Sequence, residues 1–452
     1  MHDNGTILLG LEGLIEIFKS NALSFYTSFI NLIKHINAMK NIVMLLSSVV
    51  FGILFSFLMF IFSIFIASRF FRSKKGNFEP EVSIVIPAYN EENNIEECLH
   101  SVLNSKYAKG KIEVIVVDDG STDNTLKILK KYQRVKVVRQ NHLGKVEALN
   151  LGVQNVSYDF ILTVDADTTL DKDCLKELLR PFSEAEIGAT TGNNNVRNKK
   201  SIISAFQSVE YHFSNLIRNS FSTVFNNGIW FSGSIACYRK EALENIGFFK
   251  KDTLAEDQDV ALELKKAGYK TINASAAIGY TIVPENVKDL YNQRARWWIG
   301  TLQSIVKNKE LFSRKASPSI LFLYINQFWW SFYAFLSLPL IIYQMNYWLP
   351  YNTQNFFAVT IYLFKWLSIM GPLYVLYKIP DFGVSIYSIF GVLSGIVTTI
   401  LSISALRMFK DKISFKNIFA MFFYFPYTIV LNIIILVSLL RHRFWARTYY
   451  IK

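Results

Sequence analysis

Only three cysteines, Cys98, Cys174 and Cys237, occur in 452 residues, far apart and with no CxxC pair. That scarcity excludes a disulfide framework and a cysteine-based zinc site, and it fits a reducing compartment. Zinc-finger spacing is missing, and so is any basic helix interleaved with aromatic residues for base stacking. The formal net charge of +13 therefore does not point to nucleic acid. There is no low-complexity tract, no internal repeat and no small-residue cleavage site of a signal peptide. Charge itself is absent from residues 42 to 68.

What the chain has instead is apolar residues, 51% of the total, unevenly spread. From Glu81 to about Glu310 apolar and charged residues alternate as in a water-facing α/β domain. Outside that window lie runs near the ~20 residues a helix needs to cross the hydrocarbon core. Residues 41–67 read as one span, and 320–344, 356–377, 383–406 and 418–440 as four more. Residues 1–40 are interrupted by Glu12 and Glu16 and read either as an interfacial helix or as a first span. Cations flank the runs, as in Arg69, Arg72, Lys74 and Lys75, and again in Arg441, Arg443 and Arg447. Their placement predicts contact with membrane lipids and a cytoplasmic domain after the first span. The loop 407–416 conflicts with this count. It carries Arg407, Lys410, Lys412 and Lys416 yet falls outside if all runs span, so either one run is re-entrant or the loop is an exception.

Within the water-facing window, 82–87, 113–118 and 160–165 are β-branched runs that end in turn residues, as buried strands do. Helical patterns follow at 91–103, 122–131 and 172–179. This alternation predicts a mainly parallel sheet with ligands at the carboxyl ends of the strands.

Polar motifs stand at those ends. After the first strand comes Pro87-Ala88-Tyr89-Asn90-Glu91, where Tyr89 is suited to packing on a base but a plain strand-to-helix turn explains it equally. Asp118-Asp119-Gly120 ends the second strand, and a carboxylate there can accept from a uracil imide or a ribose hydroxyl. Asp165 and Asp167 end the third; spaced i and i+2 on a strand, they can face one site. Hard oxygen ligands at that spacing suit Mg2+ or Mn2+ on a diphosphate, although a solvated acidic loop has the same spelling. Gly144-Lys145 opens a helix, where an anion site and a solvated lysine are equally plausible. Glu256-Asp257-Gln258-Asp259 precedes a helical run and offers either a cap or a general base, and spacing alone does not choose among its acids. In Gln293-Arg294-Ala295-Arg296-Trp297-Trp298, Arg296 suits a phosphate and Trp297 a sugar face, or the stretch is an interfacial aromatic and basic belt.

In this order, PAYNEE, VVDDGSTDNT, GKVEALNLG, TVDADTTL, FSGSIACYRKEAL, AEDQD and QRARW resemble the processive family 2 glycosyltransferases, namely hyaluronan, chitin, cellulose and poly-N-acetylglucosamine synthases. The tail Trp445-Ala446-Arg447-Thr448 resembles that of the poly-N-acetylglucosamine branch. The resemblance implies a GT-A-type domain at 80–312, between an N-terminal segment with its membrane helix at 1–79 and C-terminal membrane helices with a basic tail at 313–452. It implies an integral, multi-pass protein of the cell membrane with its catalytic domain in the cytoplasm. The implied reaction is inverting transfer from a UDP-sugar to a growing β-linked polysaccharide.

By similarity, Pro87, Tyr89, Glu91, Asp118 and Asp119 belong to the nucleotide end, and Asp165 and Asp167 to the metal-diphosphate. Lys145 and Arg296 would hold the diphosphate. Asp257 would be the catalytic base. Gln293 and Trp297 would shape the acceptor end, with Ser232, Gly233 and Ser234 along its path. Ala255 departs from the threonine often found before Glu-Asp, and Trp298-Ile299 is more apolar than in several relatives. The competing readings are a single transfer to a membrane lipid carrier and an inactive sugar-binding or scaffold subunit. The Gln-x-x-Arg-Trp element argues against the first, and the presence of every key carboxylate against the second. Accessory membrane subunits are allowed for; sugar and linkage are left open.

Overall fold

Buried, β-branched runs pair side by side before any membrane helix is considered. The computed structural model describes residues 40–71, 78–348, 368–382, 386–409 and 414–448, with single positions 361, 364 and 384 between them. Strands β1 (Val82–Ala88), β2 (Ile112–Asp118), β3 (Val135–Arg139) and β4 (Phe160–Val164) lie parallel in the order β3-β2-β1-β4. Every residue of β4 and nearly every one of β1 is buried, which is why they read as continuous apolar runs and not as alternating ones.

The remaining strands are β5 (Thr169–Leu170), β6 (Ile187–Val196), β7 (Ile235–Arg239) and β8 (Lys270–Thr281), which extend the sheet to β3-β2-β1-β4-β7-β6-β8-β5. Here β7 is antiparallel to both β4 and β6, β6 and β8 are parallel, and β5 is antiparallel to β8. The sheet is therefore mixed; the expected parallel arrangement describes its first half.

Alternate residues of the central strands face opposite layers. Ile84, Ile86, Val116 and Leu162 pack with Leu99, Leu175 and Leu178 on one side. Val85, Ile115, Val117 and Ile161 pack with Leu149, Val153, Val260 and Leu264 on the other.

β1 does not stop at Pro87 but runs one residue further, with Pro87 opposite Val117. β4 pairs with β1 only as far as Val85, so no ladder bond is demanded of the missing proline N–H. The expected helices start late, at Ile95–Leu103, Thr125–Leu129 and Cys174–Leu179. In the first two cases the two turns bind one another: Glu91 N–H donates to Oγ1 of Thr125, the first helical residue, at 2.8 Å and Glu92 N–H to Asp123 Oδ2 at 3.1 Å.

On the other side of β6 and β8 lies the helix Ile202–Phe225, opened by a Ser201–Ser204 capping box. The helices Lys40–Ser68 and Ile386–Met408 lean on it through Phe65, Leu216, Val397, Leu401 and Phe409. Among the described residues three helices are long and apolar enough to cross a membrane: Leu45–Ser68, Ile389–Met408 and Tyr424–Arg441. The run 320–344 lies in the helix Pro318–Trp348, whose Asn326, Gln327, Trp329, Trp330 and Tyr333 lower its hydropathy, and it is not among the three. The run 418–440 breaks at Phe423, between the helices Phe415–Phe422 and Tyr424–Thr448. Residues 1–39, most of 349–367 and part of the 407–416 loop lie outside the described residues.

Candidate active site

The carboxyl ends of β1 and β2 are knitted into one loop layer. Asn90 N–H donates to Ser121 Oγ at 3.0 Å, and Thr122 N–H donates to Asn90 Oδ1 at 2.8 Å. Asp118 is fully buried; its Oδ1 accepts from Ser121 N–H at 3.2 Å, and its Oδ2 lies 3.2 Å from Arg139 Nε. Asp119 faces the segment 140–144. Its Oδ1 accepts from Gln140 Nε2 at 2.6 Å and Leu143 N–H at 2.9 Å, while its Oδ2 accepts from Gly144 N–H at 3.0 Å and meets His142 Nδ1 at 2.9 Å. This carboxylate shapes the loop that delivers Lys145. Tyr89, 40% exposed, stacks on the His142 ring with centroids 3.9 Å apart and planes 19° apart.

Lys145, the first residue of the helix Lys145–Gln154, joins two distant parts of the chain. Its Nζ lies 2.7 Å from Asp165 Oδ1 and 3.3 Å from Glu256 Oε1. Burial alone would favour the neutral amine, but Asp165, Glu256 and then Asp257 more than offset it, and the lysine is held charged. Glu256 is correspondingly lowered: Lys145 and then Arg296 outweigh its burial.

Asp167 is the opposite case. Burial first, then Asp165 and Glu91, push its carboxyl up to about 6. Glu91 is raised as well, chiefly by burial, with Asp165 adding to it. Three acids thus crowd a place with one lysine, a surplus of negative charge that a divalent cation would relieve. Among the described residues no group of three or more His, Cys, Asp or Glu side chains forms a ready cage. Asp165 and Asp167 fit a cation that takes its remaining ligands from phosphate and water.

Asp257 sits in the first turn of the helix Glu256–Lys266. Its Oδ2 accepts from Gly233 N–H at 2.6 Å and its Oδ1 from Gln258 N–H at 2.8 Å. Burial and then Glu256 raise it to about 6. Gln258 Oε1 accepts from Phe231 N–H at 2.9 Å, so adjacent residues of this turn hold the 231–233 loop. Asp259 points the other way: Lys307 Nζ lies 2.6 Å from its Oδ2, and the same ammonium meets Asp252 at 2.9 Å and Glu263 at 2.7 Å. Residues i and i+2 on a helix do not share a face. Geometry thus narrows the acids left open by spacing to Glu256 and Asp257.

Ser232 belongs to that loop and Ser234 follows it, with Asn194 Nδ2 donating to Ser232 Oγ at 2.9 Å and to Ser234 Oγ at 2.6 Å. Asp165 N–H donates to Ser234 O at 3.1 Å, which ties the loop to the acidic strand end. Asn194 and the buried Arg218 were not singled out from the sequence. Arg218 reaches Trp230 O at 3.1 Å, Gly192 O at 3.2 Å and Thr191 Oγ1 at 3.2 Å. The signal was there in the three amides Asn193-Asn194-Asn195, a composition that strands disfavour.

Gln293, Arg296 and Trp297 lie on the helix Val287–Lys307, whose Gly300 packs under Ala255. Arg296 bears on Glu256 electrostatically. Gln293 and Trp297 lie against Arg294, and Trp297 also approaches Tyr211, with centroids 6.3 Å apart. Pro87 lies in β1, opposite Val117.

Residues 83–247 match the family described as glycosyl transferase family 2. A stretch of 233 residues is 33% identical to a poly-beta-1,6-N-acetyl-D-glucosamine synthase of Staphylococcus aureus (strain MSSA476), covering 50% of this chain and 56% of that protein. The synthase of the same name from Staphylococcus epidermidis is 31% identical over 239 residues, with the same coverage. The chain thus spans little more than half the length of the curated relatives it matches. Among solved structures, a mannosyltransferase from Pyrobaculum calidifontis, in complex with GDP-Man and Mn2+, superposes with a TM-score of 0.53 at 19% identity, over 78% of this chain and 98% of that one. That likeness speaks for the fold alone, a GT-A-like one. With the mixed sheet in hand, residues 83–247 are similar to a glycosyl transferase family 2 domain.

Proposed function

We propose that this chain is a metal-dependent, inverting glycosyltransferase at the membrane that moves a hexose or N-acetylhexosamine from a UDP-sugar to a growing β-linked polysaccharide. The observation that carries the reading is the meeting at Lys145, where Asp165 from the end of β4 and Glu256 beside Asp257 share one ammonium. A donor bound over Asp118, Tyr89 and the 140–144 loop would lay its diphosphate beside Lys145, Asp165 and Asp167. Arg296 would add positive charge from the far side. A divalent cation, held by Asp165 and Asp167, would supply Lewis acidity for the departing UDP.

Asp257 is the candidate base. Its carboxylate takes the proton of the acceptor hydroxyl as that oxygen bonds to the anomeric carbon and the bond to the diphosphate breaks. A carboxyl raised to about 6 is a better proton acceptor than an ordinary aspartate and is still ionised at neutral pH. Ser232, Gly233 and Ser234 would line the acceptor's approach, with Gln293 and Trp297 at its end. The domain spans 80–312, and the cations after the first apolar helix support its cytoplasmic placement in a multi-pass protein of the cell membrane.

The relatives' name makes UDP-N-acetylglucosamine the first donor to test. Membranes containing the chain, given labelled UDP-sugars with Mg2+ or Mn2+, should release UDP and build a sized polymer. A single added sugar on lipid would support the lipid-carrier reading instead. Asp257→Asn should abolish transfer and leave donor binding largely intact; wild-type turnover in that variant would remove Asp257 from its role.

A further inference from the structure

Arg294 lies between the two residues assigned to the acceptor end, and its guanidinium turns to Glu210. Its Nε lies 3.1 Å from Glu210 Oε1 and its Nη2 2.9 Å from Glu210 Oε2, a bidentate pair. The same guanidinium sits over the Trp297 ring, 4.4 Å from its centroid, and over Tyr211 at 5.7 Å. Its Nη1 donates to Gln293 Oε1 at 2.5 Å. Glu210 Oε2 also accepts from Tyr427 Oη at 2.5 Å. Tyr427 belongs to a helix long and apolar enough to cross a membrane, and its ring stacks on Phe206, with centroids 5.2 Å apart.

Three helices therefore meet on one carboxylate: Ile202–Phe225 supplies Glu210, Val287–Lys307 supplies Arg294 and Tyr424–Thr448 supplies Tyr427. Arg294 is only 8% exposed, whereas Trp297 is 36% exposed. A buried fork thus holds an accessible indole from behind.

We infer that Glu210, Arg294 and Tyr427 form a positioning hub that fixes Trp297 and Gln293 against a membrane helix, and that through them it sets how long a nascent polymer is retained. The inference rests on the transferase reading and concerns retention, not bond formation. None of the three residues touches the Lys145 cluster by any described contact. Losing the hub loosens the platform on which the acceptor's last sugar rests and leaves the donor side in place. Product length then falls, because length follows the ratio of extension to release.

The test compares Arg294→Lys, Glu210→Gln and Tyr427→Phe with wild type in membranes supplied with the working UDP-sugar. UDP release gives the initial rate and gel sizing gives the product length. Arg294→Lys keeps the charge but loses the fork and the ring stacking. Its mean product should shorten roughly fivefold, the ratio that about 1 kcal/mol of acceptor holding represents, with initial UDP release within about twofold of wild type. Tyr427→Phe, which removes one hydroxyl and leaves the packing, should shorten product to a lesser degree. Unchanged product length in Tyr427→Phe and Arg294→Lys overturns the hub. So does a parallel loss of rate and length, which is the mark of a merely structural pair. If Arg294→Lys does not fold, Tyr427→Phe alone decides. A wild type that transfers no sugar overturns the transferase reading and this inference with it; a wild type that polymerises beside variants of equal product length overturns this inference alone.

Discussion

Gly233 and Asp257 approach so closely that a Cβ added to the glycine would lie 2.7 Å from the aspartate Cβ and 3.1 Å from Oδ2. The Gly233 N–H that orients the carboxylate is available because no side chain stands in front of it. Gly233→Ala should therefore displace the proposed base and lower kcat on the order of 100-fold, the cost of a misplacement near 1 Å, with the KM for donor little changed. A kcat within a few-fold of wild type would show that this contact does not set the base's position. The two raised carboxyls predict a shared pH window with different readouts. A base must be ionised, so kcat at saturating metal should fall as pH drops through about 6, where Asp257 takes up a proton. Asp167 is also raised to about 6, so protons should compete with the cation, and the concentration of Mg2+ or Mn2+ needed for half-maximal rate should rise over the same interval. A metal requirement flat from pH 5 to 8, by titration at fixed donor, would take Asp167 out of the metal site. Most of the residues that meet around Lys145 were legible as motifs because they end strands or open helices, where side chains can point into one crevice. Asn194 and Arg218 were not, because their importance lies in what they touch across the sheet.

At the scale of elements, the helix Val287–Lys307 is pressed on the start of the helix Glu256–Lys266. A Cβ on Gly300 would lie 2.5 Å from Ala255 N and 2.7 Å from Ala255 Cβ. Backbone cannot yield as a flexible side chain does, so Gly300→Ala should cost about 1–3 kcal/mol, read as a lower unfolding midpoint of the solubilised protein. An unchanged midpoint would mean that the two helices slide freely. The same contact gives a physical setting for Ala255, whose buried methyl faces that glycine. Strands β1, β2 and β4 were readable from their β-branched runs. The second half of the sheet was not, because β6 carries amides and threonines and β8 carries glycine and alanine in place of an apolar alternation. The helix Ile202–Phe225 escaped notice for a related reason. It buries Gln207, His212, Asn215 and Arg218 where an amphipathic pattern would place apolar residues.

For the whole molecule, three apolar helices and a band of flanking cations predict retention in the membrane. After an alkaline carbonate wash the chain should stay in the pellet, and recovery in the supernatant would argue against spanning helices. The length and composition of the apolar runs announced the helices, but not how many cross. In the helix Pro318–Trp348 the indoles and amides make aromatic bulk look like lipid-facing surface, although Trp298 Nε1 donates to Ser331 Oγ at 3.1 Å and Gln327 Nε2 to Trp298 O at 3.4 Å. The salt cluster behind the turn that carries Asp257 has its own bearing on experiment. Lys307 pairs with Asp259 and Glu263 on the helix that carries Asp257, away from that carboxylate, so its loss should unseat the turn without entering the crevice. A search for essential residues by lost turnover alone would rank Lys307→Met with the proposed participants. Its acidic limb should stay where the wild type's lies, and that unmoved limb tells scaffolding from chemistry.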